Sequence, residues 1–442
     1  MSDSVFKTRL DNGLTVVLKE MHHAPVASFW VWYQVGSRNE KPGHTGIAHW
    51  VEHMMFKGTP QFPPGQLDRM VSREGGRWNA FTWVDFTAYY ETMPVDRIEL
   101  AVRLEADRMV NTHMTPDEAD SERTVIISER HMYENRPIFL LSEETTAAAF
   151  RVHPYHHEVI GDEVDLETMT RDDLYRFYQR HYAPNNAIVV AVGDFAAETM
   201  LEMIRGYFGP IPAVEPIAPV LRREPPQRGQ REVTLKGPGD TSYLLYGYKS
   251  PAAGHPDFYP MALLNAAFSG GGSLGWLNET TTNHSSRLYK ALVLTELAAG
   301  VSGGMTPTID PYLYTIMAVA QPGRTIDELE AALDAEIGRL ATQPITLDEL
   351  AKAIKRTKVQ LVMASESNTG QAQMLGFSEA VVGDYRWFEQ FIHQIEAITL
   401  DDIERVRAQY LNPDNRTIGR YLPEGNGAET ADFADGEVED EA

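Results

Sequence analysis

Two segments of this chain repeat one plan, and that duplication limits the folds open to it. In the first, the strand-like run VASFWVWYQVGS leads into a helix ending HMMFKG. In the second, SYLLYGYKS leads into a helix ending NAAFSG. Setting Phe56 on Phe268 offsets the copies by 212 residues and places Gly58 on Gly270, His53 on Asn265, Glu52 on Leu264 and His49 on Met261. The second copy keeps the plan and loses the polar triplet. A chain of 442 residues exceeds one ordinary core. The Pro-rich, unpatterned stretch AVEPIAPVLRREPPQRGQ reads as an interdomain linker over 213–230. The expected organisation is a domain over 1–212, the linker, a homologous domain over 231–425, and a solvated, disordered acidic tail over 426–442, ending ADFADGEVEDEA.

The runs LTVVL, ASFWVWYQV, FTAYYETM and AIVVAVG are rich in β-branched and aromatic residues and predict strands. Helices are predicted over 46–57, 66–74, 96–111, 116–134 and 171–180. Interspersed in this way, they predict an α+β fold with helices packed on largely antiparallel sheets. The net charge of -24 repels phosphate backbones, so nucleic acid is not an expected partner. With no cysteine, any metal must be held by His, Asp or Glu. No run approaches the ~20 apolar residues of a membrane span. The opening MSDSVFKTRL lacks the basic and apolar regions of a signal peptide. The expectation is a cytoplasmic protein without a membrane partner.

The first repeated helix carries chemistry. At 100° per residue from Ile47, the side chains Trp50, Val51, Met54 and Met55 stay within about 60° on one side and 80° on the other, a core stripe. His49, Glu52, His53 and Phe56 fall opposite, between about 140° and 240°. Imidazoles at i and i+4 lie one turn apart and converge on one tetrahedral cation. A polar solvent-facing stripe is the plainer reading of two such histidines. The Glu between them shifts the balance, because H-x-x-E-H is a zinc-peptidase signature. A third protein ligand is still required.

The segment TPDEADSERTVIISERHMYENRP opens with Thr115 as N-cap, Pro116 at N1 and Glu118 at N3, a capping box. Glu122 and Glu129 lie seven residues apart, nearly in line, on a face shared with Val125, Ile126, Met132 and Tyr133. Two carboxylates on an apolar stripe require either a buried Arg partner or a metal.

In these motifs the chain resembles the inverted-motif zinc peptidases of the pitrilysin, insulin-degrading enzyme and mitochondrial processing peptidase family. That family carries H-x-x-E-H and, about 76 residues later, a ligand Glu preceded by another Glu seven positions earlier. Glu129 stands 76 residues after His53, and Glu122 seven before Glu129. GGRWNAFTWVDFTAYYETMP resembles the family pattern G-G-x-x-N-A-x-T followed by a strand. YAPNNAIVVAVGDF resembles its Y-x-P-x-N strand entry, and GGGSLGWLNETTTNHSSRLYKAL its S-S-R-L segment with an insertion. The resemblance spans about residues 5–425.

It implies two homologous α/β-roll domains and a zinc endopeptidase. His49, His53 and Glu129 would bind one Zn2+, Glu52 would serve as general base and acid, and Glu122 would support the ligands from behind. It further implies that peptide substrates add to an edge strand over Trp78 to Thr82, with Asn79, Ala80 and Thr82 as binding residues. Many members also carry an Arg and a Tyr in the second half that contact substrate. The matching stretch here is ALVLTELAAGVSG, with Val293 in the Arg position and Ala298 or Ala299 in the Tyr position, while Arg287 and Tyr289 read as local structure. The expectation is a catalytic subunit paired with a homologous, metal-free partner that supplies the pair and closes like a clamshell, with a homodimer as the second assembly. The alternative function is a non-catalytic structural or peptide-binding subunit, against which the intact His49, Glu52, His53 and Glu129 weigh.

Overall fold

Alternation along VASFWVWY buries both faces of one strand, so a layer must cover each. A computed structural model describes residues 5–271 and 284–425. Most of the Gly-rich insertion, 272–283, and the expected tail at 426–442 lie outside the described residues. Strands β1 (Phe6–Arg9), β2 (Thr15–Glu20), β3 (Val26–Tyr33), β4 (Arg77–Thr82), β5 (Thr87–Pro94) and β6 (Ala187–Gly193) form one sheet in the order β1-β2-β6-β3-β5-β4. Strands β7 (Arg231–Gly237), β8 (Tyr243–Ser250), β9 (Ala298–Met305), β10 (Tyr312–Ala320) and β11 (Arg416–Pro423) form a second in the order β7-β11-β8-β10-β9.

Once β1 is set aside, the two sheets share one topology, so the repeat seen in the sequence is a repeat of architecture. Each contains a single parallel pairing, β2 with β6 and β7 with β11, and the other pairings are antiparallel. Helix α1 (Ile47–Met54) follows β3 as the helix Phe258–Phe268 follows β8. Gly58 (φ +93) and Gly270 (φ +76) both follow shortly after their helices, in the left-handed region that glycine tolerates. In the second copy Met261, Leu264 and Asn265 are buried where the first carries His49, Glu52 and His53.

The predicted helices appear as α1, α2 (Leu67–Arg73), α3 (Ile98–Asn111), α4 (Pro116–Glu134) and, later in the chain, Arg171–His181. A further helix, α5 (Pro137–Ala149), lies across the second sheet, and the helix Asn368–Phe377 lies across the first. The two halves therefore exchange a helix. Both crossings need glycine: a Cβ on Gly376 would stand 2.0 Å from Trp32 Nε1, and one on Gly419 would stand 2.1 Å from Thr145 Oγ1.

Phe29, Val31 and Tyr33 of β3 face a core shared with α1, whereas Trp30 and Trp32 face a core shared with the second half. Trp30 stacks on Tyr90 at 4.2 Å between ring centroids. Each such side chain contributes roughly 1.5–3 kcal/mol by leaving water. The halves also share polar contacts. Asp85 accepts hydrogen bonds from Tyr155 (2.6 Å) and from the amide of Ile309 (2.8 Å), and Arg38 pairs with Asp310. Among the described residues, no helix is long and apolar enough to cross a membrane.

Candidate active site

The first turn of α1 leaves amide N–H groups that need acceptors. Its N-cap Gly46 has φ +85, and a Cβ there would meet Ile160 O at 2.4 Å. The buried Glu40 carboxylate accepts from the amides of Gly46 and Ala48, each at 2.9 Å, and His157 Nε2 lies 2.8 Å from the same carboxylate. An anion at this end also suits the helix dipole. The helix is thus clamped at its start, and Ile47, Trp50, Val51 and Met54 anchor its inner face in the core.

The opposite face is only partly open to water, with the His49 and His53 side chains 14% and 23% exposed. It is covered by α4 and β4, and Glu52 is only 7% exposed. Helix α4 starts with the expected capping box: Glu118 N donates to Thr115 Oγ1 at 3.3 Å, and the Glu118 carboxylate accepts from Thr115 N at 3.2 Å. Its inward stripe is Glu122, Ile126, Arg130 and Tyr133, with Glu129 alongside. Val125 and Met132, expected on that face, are about half exposed. They sit about 100–120° from Ile126 at 100° per residue, too far round to reach α1.

Glu129 Oε2 stands 3.9 Å from His49 Nε2 and 3.7 Å from His53 Nε2. The three potential ligand atoms all lie within 4.8 Å of one another. A tetrahedral zinc with ~2.05 Å bonds has ligand atoms about 3.3 Å apart, so small side-chain movements close the set. Two imidazole nitrogens and one carboxylate oxygen are a donor set that zinc accepts. His53 Nδ1 lies 2.8 Å from Glu122 Oε1. The Nδ1–H donates there, which fixes the tautomer and leaves the Nε2 lone pair facing Glu129. Tyr133 donates to Glu129 Oε1 at 2.9 Å, which leaves Oε2 turned to both rings. Lys57 pairs with the second oxygen of Glu122. His49 Nδ1 is buried without a hydrogen-bond partner among the described residues.

Electrostatics favours the neutral form of His49 that metal binding needs and the ionised form of Glu122 behind it, and opposes the neutral form at His53. Burial pulls the His49 imidazole down to about 3, and the adjacent His53 adds to the fall, so His49 is neutral. At His53 burial acts in the same direction, but the Glu122 hydrogen bond and the surrounding carboxylates outweigh it and raise the imidazole. Burial also opposes ionisation of Glu122, yet His53 and Lys57 hold that carboxyl below its ordinary value. Burial raises the Glu52 carboxyl, and the bond from Thr82 tempers the rise.

Strand β4 lies at the end of its sheet, paired with β5 and, among the described residues, with no other strand. Asn79 is exposed, and its Oδ1 accepts from Ala80 N at 2.9 Å. Ala80 and Thr82 point inward, and the Thr82 hydroxyl donates to Glu52 Oε2 at 2.6 Å. The structure thus gathers His49, Glu52, His53, Glu122, Glu129 and Thr82, with Asn79 and Ala80 along the adjoining strand. Sequence reasoning missed Lys57, Tyr133 and the Glu40–His157 clamp. Lys57 and Tyr133 are each four residues after a site residue, His53 and Glu129, and that spacing was their available signal.

The family model described as "Insulinase (Peptidase family M16)" matches residues 15–163, and that described as "Peptidase M16 inactive domain" matches residues 168–357. An uncharacterized zinc protease of Mycobacterium leprae is 29% identical over 93% of this chain and 90% of its own length. The beta subunit of the mitochondrial-processing peptidase of Lentinula edodes is 26% identical over 91% of this chain and 86% of its own. A crystal structure of a protease from Helicobacter pylori superposes with a TM-score of 0.89 at 28% identity, covering 95% of this chain and all of that one. Two matching family models in tandem, zinc protease relatives over nine-tenths of the length, and a metal-compatible cluster inside the first match lead to one conclusion: the chain belongs to the insulinase family of peptidases and is a zinc metalloprotease.

Proposed function

We propose that this chain is a zinc endopeptidase in which His49, His53 and Glu129 hold the metal and Glu52 is the general base and acid. The observation that carries this reading is Glu129 Oε2 facing both Nε2 atoms, with the buried Glu52 carboxylate on the same face of α1. Zinc, when bound, supplies a Lewis acid and makes water a nucleophile at neutral pH. Glu52 takes a proton from the attacking water and returns it to the leaving amine. Glu122 orients His53 through Nδ1. The free edge of β4, with Asn79, Ala80 and Thr82, receives the peptide as an added strand, so main-chain hydrogen bonds align it with little demand on sequence. Removing zinc with a chelator is expected to abolish cleavage of a generic fluorogenic peptide, and adding zinc to restore it. Cleavage that survives complete loss of the metal, measured by elemental analysis, refutes the reading. Glu122→Ala is expected to weaken zinc binding about 10–100-fold in a competition titration. An unchanged affinity removes Glu122 from its role.

We further propose that this is the catalytic subunit of a pair, with a homologous, metal-free partner closing over the substrate like a clamshell. Val293 and Ala299 stand where related chains are expected to carry a substrate-contacting Arg and Tyr. Arg287 is committed to Glu349 (2.6 Å) and to the carbonyl of Pro344 (2.8 Å), so it is not free to replace them. The mitochondrial relative is itself named as a subunit. Co-purification from the native host, with zinc and activity measured on the eluate, tests the pairing. Full activity from the isolated chain as a monomer rules it out, and full activity from a homodimer selects the second assembly.

A further inference from the structure

Resting on the reading of Glu52 as the base, we infer that Thr82 is its positioning residue and decides which carboxylate oxygen carries the proton. The hydroxyl of Thr82 donates to Glu52 Oε2 at 2.6 Å, within the range of a charge-assisted O–H···O bond. Both residues are buried, Thr82 at 9% and Glu52 at 7% exposure. A hydroxyl has one proton to give. Thr87 Oγ1, 3.3 Å from Thr82 Oγ1, commits its own proton to the carbonyl of Val35 at 2.9 Å. Thr87 could then only accept from Thr82, and the carboxylate oxygen of Glu52, charged and 2.6 Å away against 3.3 Å, is the stronger acceptor for the Thr82 proton.

This bond joins two elements the chain builds separately. Glu52 is on α1 and Thr82 is on β4, 30 residues later. Side chains two apart on a strand share a face, so Thr82 points inward beside Ala80, at the end of the strand proposed to align the peptide. A substrate docked on β4 is thereby registered against the base through one side chain. Because Thr82 occupies Oε2, Oε1 takes the proton from the attacking water and passes it to the leaving nitrogen. Oε2 accepts from Thr82 before and after that transfer, and Thr82 keeps its own proton throughout. The side chain of Thr82 thus serves the base, while its main chain stays part of the strand proposed to receive the peptide.

The test compares Thr82→Val and Thr82→Ser in the zinc-loaded protein, with its partner where one co-purifies. Thr82→Val is expected to lower kcat about 10–100-fold, the scale of a misplaced catalytic group, with KM within about twofold and zinc content unchanged. Thr82→Ser is expected to recover most of the loss. Independently of activity, Thr82→Val should lower the melting temperature when Glu52 is present and should not when Glu52 is replaced by Leu. An unchanged kcat, a raised KM with kcat kept, no recovery by Ser, or an equal melting shift in both backgrounds each overturns the assignment. Failure of the peptidase reading looks different: the unmodified protein then shows no zinc-dependent cleavage, and the base to which Thr82 is assigned goes with it.

Discussion

Glu52→Gln is expected to bind a full equivalent of zinc and to lose peptide hydrolysis by about 10²–10⁴-fold in kcat. Glutamine matches glutamate in shape, and its amide oxygen still accepts from Thr82, so α1 and β4 should stay in place. Glu52 is not among the three residues whose ligand atoms cluster, so the metal site loses nothing. What disappears is the ability to hold a proton between the attack on the carbonyl and the departure of the amine. Elemental analysis and the rate on a fluorogenic peptide, measured on the same sample, separate the two effects. Hydrolysis within tenfold of the unmodified protein would assign the base to another group. Loss of zinc would instead make Glu52 part of the ligand set.

The parts of this site written along one helix were legible; the parts made by packing were not. The 3.6-residue period separates Trp50, Val51 and Met54 from His49, Glu52 and His53, and the structure buries the first set in the core. The same period does not say that α4 lies across α1. Glu129 is a candidate ligand by its family spacing, and only the fold turns two ring nitrogens toward it. Glu40 and His157 are 117 residues apart and meet only because the fold brings them together. The exchange of helices between the halves is equally silent in the sequence. It depends on Gly376 and Gly419, whose missing side chains admit a crossing helix, and an isolated glycine in a helix or strand gives no hint of what approaches it. The sheet order was within reach: once two halves share a strand and a helix, one topology serves for both.

Arg108→Met is expected to destabilise the protein by about 3–5 kcal/mol, the cost of leaving buried carboxylates without their cation. Arg108, on α3, is wholly buried between Glu105 and Glu91. Its Nε donates to Glu105 Oε2 at 2.9 Å, and its guanidinium lies 4.2 Å from the centre of the Tyr89 ring. Burial, and then the charge of Glu105, push the Glu91 carboxyl well above the ordinary carboxylate range, while Arg108 pulls it down. Without Arg108 that carboxyl rises further. A carboxyl raised in the folded state contributes stability that is fully present below its unfolded value of about 4.5 and is lost as pH climbs through the folded value. The deficit of Arg108→Met should therefore widen only once pH passes the folded value that Arg108 holds down, because above it the variant alone still has to keep the carboxyl protonated. At neutral pH the melting temperature should fall by roughly 10 °C, taking about 2–4 °C per kcal/mol. Removing Glu105 as well, as Arg108→Met/Glu105→Leu, should recover part of the loss, because only the Glu91 carboxyl is then left without the cation. A fall of under about 2 °C in the single variant would mean that water reaches these carboxylates. The cluster also touches the site. The Arg108 guanidinium lies 5.9 Å from the ring of Phe56 and 5.8 Å from that of Trp78, the first just past the end of α1 and the second on β4. Loosening it should loosen the seating of α1 against β4, so the single variant should lose kcat even at temperatures where it remains folded, and the double variant should regain part of it.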